Sequence, residues 1–343
     1  MPFLTPGGIA AFFYQQFFVT PKVDPKLSFT GQTVIVTGSN VGLGFSTAEQ
    51  IAQRGVSKLI LAVRSVSKGE EAATKIHASL AKSQDPTRTT SAPGIDIEVW
   101  PLDLGSYQSV KDFAARAKKL DRLDVLLENA GVQKSKFELK EEDEETITVN
   151  VVSTALLAFM LLPKLRETAE RFGVLPHLVV VSSETAFFAK FEERKAESIL
   201  DKLADPRSDM SQRYFNSKLI ENYFVRELAS RVTSSPSSPS VVINAVNPGF
   251  CQSTFFREGS INLGLRLFMF FVQRKTHVGA RNFVYAAAAG PASHGQYLSD
   301  CRVHPSPCER ENLKAELEEI QRKVWDELVR KLERIEPGVT SSI

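Results

Sequence analysis

The sequence predicts an α/β fold: a single doubly wound parallel sheet with helices on both faces. Two observations carry that expectation. Short, continuous apolar runs alternate with amphipathic stretches from about Gln32 to Ala289, the pattern of a parallel sheet buried on both sides. The 343 residues are 43% hydrophobic and 24% charged, ample for one large core.

Each element can be justified in order. "TVIVTG" reads as the first strand, and Gly44 to Arg54 as the helix behind it. "KLILAV" is the second strand, followed by a helix from Lys68 to Lys82. "IDIEVWPL" is the third, with a helix from Gln108 to Lys119. "DVLLENAG" holds the fourth, and a long helix runs from about Thr146 to Phe172. "HLVVVSS" is the fifth, then a helix from Tyr214 to Val232. "SVVINAVNPG" is the sixth and "GQYLSD" a short seventh. "SQDPTRTTSAPG" (Ser83 to Gly94) and "SSPSSPS" are turn-rich surface segments. The tail from Glu309 to Ile335 spaces Leu313, Leu317, Ile320, Val324, Leu328 and Leu332 as one amphipathic helix. It either packs on the body or offers a partner surface. The chain divides into an N-terminal extension (1–30), a main α/β domain (31–300) and a C-terminal helical extension (301–343).

Composition excludes several function classes. A formal charge of +2 supplies no field for nucleic acid. Three cysteines are not a disulfide framework and fit a reducing, cytoplasmic setting. Cys301, His304 and Cys308 are too few for a metal centre, and no metal is expected. The opening "MPFLTPGGIAAFFYQQFFVT" has no Lys or Arg, so it is not a secretory signal, and it is too short to span a membrane. It is a helix docked on the body or one lying on a membrane surface. Docking is the preferred reading, because basic residues are missing; peripheral membrane contact is the alternative.

The motifs cluster at the carboxyl ends of the strands, where such sheets bind ligands. "TGSNVGLG" places Gly38, Gly42, Leu43 and Gly44 between a strand and a helix. Glycines there permit a tight turn and let a pyrophosphate approach the helix-terminal N–H groups. The second strand ends "LAVRS", without the acid that would bind a ribose diol. Arg64, with Lys68 four residues on, can instead pair with a 2′-phosphate, which predicts NADP(H). Asp103 ends the third strand, where it can hydrogen-bond an adenine. Asn129, Ala130 and Gly131 end the fourth; the small residues admit the cofactor and Asn129 can tie neighbouring strands.

Tyr214 and Lys218, in "YFNSK", share a helix face at i,i+4. A tyrosine ordinarily ionises near pH ~10, and a neighbouring cation lowers that value toward useful acid/base work.

Taken together, "TGSNVGLG", "ENAG", Asn150 in "TVNVVS", the serines of "VVVSSE", "YFNSK" and "NPGFCQS" resemble the short-chain dehydrogenases/reductases, over roughly Gln32 to Ser299. The arginine after the second strand and the long span before Tyr214 are similar to the retinol-dehydrogenase-like branch. "ENAG" and "NPGFCQS" look most like fungal members of secondary metabolism. The resemblance implies a Rossmann fold and site roles. Tyr214 would pass a proton to a carbonyl as hydride arrives, and Lys218 would also bind the nicotinamide ribose. Ser183, rather than Ser182, would hydrogen-bond the substrate oxygen, and Asn150 would hold a water that refills the proton. Pro248 and Gly249 would turn the chain over the nicotinamide, and the hydroxyl of Ser253 would reach its carboxamide. Pairing through the two long helices would give a homo-oligomer. Glu128 departs from the family, where Asn often precedes "NAG", and needs a partner.

Phe255, Phe256, Leu267, Phe268, Phe270 and Phe271 make the segment at about 255–275 a lid over a lipophilic small molecule, or plain core, or a membrane-facing patch. The function expected is NADP(H)-dependent hydride transfer to a carbonyl or from an alcohol. The rivals are a membrane-associated retinoid or steroid dehydrogenase and a catalytically inactive NADP-binding sensor.

Overall fold

The computed structural model describes residues 14, 16–83, 94–232, 240–252, 273–341 and 343. Ser253, nearly all of the expected lid and most of the first twenty residues lie outside the described residues.

Eight strands form the main sheet: β1 (Thr33–Thr37), β2 (Lys58–Val63), β3 (Asp96–Pro101), β4 (Val125–Glu128), β5 (His177–Val181), β6 (Val242–Val246), β7 (Tyr297–Ser299) and β8 (Arg302–His304). Their order is β8-β7-β6-β5-β4-β1-β2-β3. Strands β1 to β7 are parallel, and β8 runs antiparallel to β7. The chain leaves β1 toward β2 and β3, then returns on the other side at β4. That reversal opens a crevice at the carboxyl ends of β1 and β4.

β8 was not expected. It is joined to β7 through Asp300 and Cys301, both at positive φ (52° and 55°), as a two-residue hairpin turn requires. Asp-Cys carries none of the glycine that usually marks such a turn. The sheet therefore continues past residue 300, where the helical extension had been expected to begin.

The principal helices are α1 (Gly42–Ala52), α2 (Val66–Ser83), α3 (Tyr107–Ala117), α4 (Thr154–Phe172), α5 (Met210–Val232), α6 (Thr276–Ala286) and α7 (Leu317–Ile335). Strand residues alternate between the two faces. Ile35, Ile60, Leu126, Leu178 and Ile243 join the core under α3, α4, α5 and α7. Val34, Val36, Leu59, Leu61 and Val179 join the core under α1, α2 and α6. The helical stretch Glu145–Phe172 is long and apolar enough to cross a membrane, yet 94% of its apolar window is buried inside the protein, as in a core helix.

Two helices differ from expectation. The stretch before α4 is not regular: a short α segment (Glu145–Ile147) passes into π-turns at Thr148–Ser153. The tail is not one helix but a short turn at Glu311–Lys314 followed by α7. The apolar face of α7 packs inward through Ile320, Val324, Trp325, Leu328 and Leu332. Trp325 lies 5.7 Å from the Phe159 ring of α4 and 6.3 Å from the Phe224 ring of α5. The long span between Ser183 and Tyr214 forms two 3-10 turns and a helix at Ile199–Ala204. Glu327 of α7 caps that helix, accepting from the backbone N–H groups of Ile199 (2.9 Å) and Leu200 (2.8 Å).

The described part of the N-terminal extension is fastened to the body. Gln16 Nε2 donates to the Phe250 carbonyl (2.6 Å), Arg274 to that of Val19 (3.0 Å) and Arg281 to that of Pro21 (3.2 Å). Tyr14, Phe17 and Phe18 face solvent.

Candidate active site

The crevice at the carboxyl ends of β1, β2 and β4 is a cavity of about 380 Å³. Gly38, Gly42, Leu43, Gly44, Arg64, Lys68, Asp103 and Asn129 all line it. Asn40, Ser65, Leu102 and Val132 line it too. They belong to the same strand ends but carry no signature of their own, so the sequence reading did not single them out.

The glycine turn is built by close approach. Gly38 and Gly42 both have φ of +64°, where a side chain would be strained. A Cβ on Gly44 would stand 2.4 Å from the Gly38 carbonyl oxygen and 2.5 Å from Asn129 Nδ2. Asn129 in turn donates Nδ2 to the carbonyls of Thr37 (2.8 Å) and Gly38 (3.2 Å). Its side chain thus pins β4 to the turn after β1, and α1 begins hard against it. Gly42, Leu43 and Gly44, the first turn of α1, line the cavity, a setting suited to a phosphate.

At the β2 side of the cavity, Arg64 and Lys68 form no ion pair with any described residue, and both are exposed. Asp103 accepts the Gly105 N–H at 2.9 Å and faces the same cavity. The lining acid Glu145 is paired with Lys134 (3.0 Å). The two cations are therefore available to an anionic ligand, and the cavity residues fit a phosphorylated dinucleotide.

The chemistry-bearing residues meet beside Gly131. A Cβ built there would lie 3.2 Å from Asn150 Oδ1 and 3.7 Å from Lys218 Nζ. Lys218 Nζ stands 5.8 Å from the centre of the Tyr214 ring. It donates to the Val181 carbonyl (2.8 Å) and to Glu221 Oε1 (2.9 Å). Ser183 hydrogen-bonds the Tyr214 phenol. Ser182 has other work: its hydroxyl donates to the Lys218 carbonyl (3.2 Å) and accepts from Asn222 Nδ2 (2.6 Å). Of the two adjacent serines, Ser183 is the one against Tyr214.

Asn150 sits in the π-turn segment. Its side chain exchanges hydrogen bonds with the Val132 backbone (2.8 and 2.9 Å) and donates to Ser217 Oγ (3.0 Å). The side chain is thus spent on fixing the Gly131–Val132 loop. Such π-turns recur at functional sites because they re-aim a residue without ending the helix.

Burial pushes the Tyr214 phenol above its usual ionisation; the Lys218 cation pulls it back down, Glu221 adds to the rise, and the Ser183 hydrogen bond lowers it. Burial likewise works against the Lys218 ammonium, but Glu221 and Tyr214 more than offset it, so Lys218 holds its proton more tightly than a free lysine.

At the end of β6, Gly249 has φ of +80°, and a Cβ there would meet Arg274 Nη1 at 2.7 Å. Pro248 presents its carbonyl to Asn282 Nδ2 (3.3 Å) and Cys251 Sγ (3.3 Å). Through these contacts α6 holds the loop that follows β6.

The sheet order, the glycine turn and the Ser–Tyr–Lys cluster define an α/β oxidoreductase of the doubly wound class. The short chain dehydrogenase family matches residues 32–193. Over 96% of this chain and 99% of the relative, it is 40% identical to the short chain dehydrogenase/reductase dmxR8 of Cryptosporiopsis sp.. It is also 40% identical to the short chain dehydrogenase atnD of Emericella nidulans, over 85% of this chain and 90% of that one. Among solved structures, the RhlG–NADP complex of Pseudomonas aeruginosa superposes with a TM-score of 0.58 at 20% identity, covering 80% of this chain and 97% of that chain. A short-chain type dehydrogenase/reductase from Mycobacterium ulcerans gives 0.58 at 16% identity, covering 86% and 99%. The chain belongs to the short-chain dehydrogenase/reductase family.

Proposed function

We propose that this protein is an NADP(H)-dependent oxidoreductase that interconverts a carbonyl and an alcohol on a lipophilic small molecule, in the biosynthesis of a secondary metabolite. The observation that carries the reading is the meeting of Ser183, Tyr214 and Lys218, the last beside Gly131 at the edge of a cavity whose far side holds Arg64 and Lys68 without ion-pair partners among the described residues. Bound NADPH would supply the hydride. Tyr214 supplies the proton to the substrate oxygen in reduction and removes it in oxidation, while Ser183 orients that oxygen. Lys218 keeps a positive charge next to the phenol and favours its ionised form. Arg64 and Lys68 meet the 2′-phosphate, and the pyrophosphate lies on the glycine turn.

NADP(H) is favoured over NAD(H) because Arg64 stands where an acid would be needed to hold an unphosphorylated ribose. Fungal dehydrogenases such as dmxR8 and atnD support the placement in secondary metabolism. The likeness to the retinol-dehydrogenase-like branch rests on Arg64 and the long insertion before Tyr214. The test is a panel of carbonyls and alcohols read by NADPH absorbance. Turnover of any lipophilic member that depends on Tyr214 supports the reading, and NADH-only turnover refutes the cofactor assignment.

A second reading concerns location. Exposed Tyr14, Phe17 and Phe18 favour peripheral contact with a membrane surface. Flotation of the full chain with liposomes, against a form lacking residues 1–20, decides it.

A further inference from the structure

Lys218 has a charged neighbour besides the Tyr214 phenol. Glu221, one turn along α5, holds its ammonium at 2.9 Å, and both side chains are buried. The other carboxylate oxygen of Glu221 accepts no hydrogen bond from any described group. Glu128 closes β4 and is only 4% exposed, and neither of its oxygens has a hydrogen-bond partner among the described residues. The charge it feels is that of Glu221. The departure from the family at "ENAG" therefore adds a second buried carboxyl group near the lysine: Glu128 pairs in the sheet with Val180, one residue before the Val181 carbonyl that accepts from Lys218.

Three ionisable groups face this pocket from α5: Tyr214, Lys218 and Glu221. β4 adds Glu128. The π-turn segment Thr148–Ser153 contributes Asn150 and no charge, and β5 contributes the Val181 carbonyl. Lys218 thus pairs with one of two buried carboxyl groups, Glu221. Burying an unpaired anion is far more costly than keeping the acid protonated. Glu221 has the lysine; Glu128 has none. Burial and the charge of Glu221 raise Glu128 well above the ordinary carboxyl range. Glu221, raised by burial and lowered by Lys218, reaches only about 7.

We propose that Glu221 and Glu128 form a buried acid pair holding one proton and one negative charge, with the proton on Glu128, and that Glu221 positions the Lys218 ammonium and sets the proton affinity of the Tyr214–Lys218 couple. The proposal rests on Tyr214 and Lys218 serving as the proton-transfer pair. A single negative charge behind the couple raises its proton affinity as a unit, whichever member releases the proton first. Both groups then stay protonated to higher pH, the state that carbonyl reduction needs. A second negative charge would bury an anion without a partner, and the proton on Glu128 prevents this.

The test has an activity arm and a spectroscopic arm. Reduction of benzil, an aromatic diketone, is followed against pH at saturating NADPH for wild type, Glu221→Gln and Glu128→Gln. Glu221→Gln is expected to move the alkaline limb of kcat/KM to lower pH by at least about one unit, and Glu128→Gln to leave it in place. In the infrared spectrum of the folded protein without cofactor, the stretch of a buried protonated carboxyl group is expected in wild type and absent from Glu128→Gln. An unmoved limb in Glu221→Gln overturns the proposal, as does an equal shift in Glu128→Gln. A wild-type spectrum with no such band that Glu128→Gln removes also overturns it. Should Glu221→Gln not fold, or benzil not turn over, the infrared comparison decides alone. Failure of the underlying reading looks different: Tyr214→Phe would then retain full turnover, whatever the infrared result.

Discussion

Gly44 and Asn129 are packed so closely that a single added methyl group on the glycine would lie 2.5 Å from the Asn129 amide nitrogen. The same methyl would lie 2.4 Å from the Gly38 carbonyl oxygen, which is backbone and cannot swing aside. Gly44→Ala is therefore expected to destabilise the fold by about 1–3 kcal/mol, the usual cost of overpacking. It should also weaken NADPH binding, because the turn that meets the phosphates must move. Thermal unfolding and fluorescence titration measure the two effects.

Arg64 faces the cavity with no ion-pair partner among the described residues. Its loss should cost a charge-assisted contact of about 1.5–3 kcal/mol to a 2′-phosphate, tenfold or more in affinity. Arg64→Ala should weaken NADPH by that factor and leave NADH nearly untouched. An unchanged ratio of the two dissociation constants would mean that Arg64 plays no part in cofactor choice.

Tyr214 is hydrogen-bonded to Ser183 and lies beside the Lys218 ammonium. Tyr214→Phe removes the transferable proton and little packing. The expected outcome is a fall in kcat of at least about 100-fold, with NADPH affinity within about threefold. Stopped-flow absorbance and a binding titration separate the two.

Glu221 also links stability to pH. Its carboxyl group is raised from 4.5 to about 7 in the folded protein. Between those values the folded state binds more protons than the unfolded state, so this contribution falls as pH rises. Buried His177 and half-buried His294 and His304 are lowered by desolvation and act in the opposite sense below 6.5. The informative quantity is therefore the difference in Tm between wild type and Glu221→Gln. Wild type should lose ground steadily against the variant from about pH 5 to pH 7.5. A pH-independent difference would show that Glu221 titrates normally.

Trp325 is seated between Phe159 and Phe224, joining α7 to α4 and α5. Trp325→Ala should cost about 3–5 kcal/mol, as for other large-to-small changes in a core. Because α7 occupies this face of the two long helices, pairing of two copies through it would require α7 to leave. Denaturant unfolding and sedimentation of the variant test both consequences.

Much of the fold was legible in the sequence because burial on both faces of a parallel sheet writes continuous apolar runs, and β1 to β7 carry them. β8 left no such trace. It is three residues long with an exposed edge, and its Asp300–Cys301 turn lacks the usual glycine. The π-turns at Thr148–Ser153 and the break before α7 were equally hidden, since neither interrupts the apolar periodicity. The tail's amphipathic spacing marked it as a surface-packing helix but could not name the surface.

At the candidate site, spacing alone determined the glycine turn, the Tyr214–Lys218 pair and the cation at Arg64. These are short-range relations, held within one turn or one helix face. Tertiary structure decided what needs distant segments to meet. It set Ser183 rather than Ser182 against Tyr214, spent the Asn150 side chain on Val132, and buried Glu128 of β4 within the field of the acid that holds Lys218. The physical reason is range. Backbone geometry and helical periodicity act over a few residues and are written locally. The electrostatic setting of a buried group depends on which other charges the fold encloses with it.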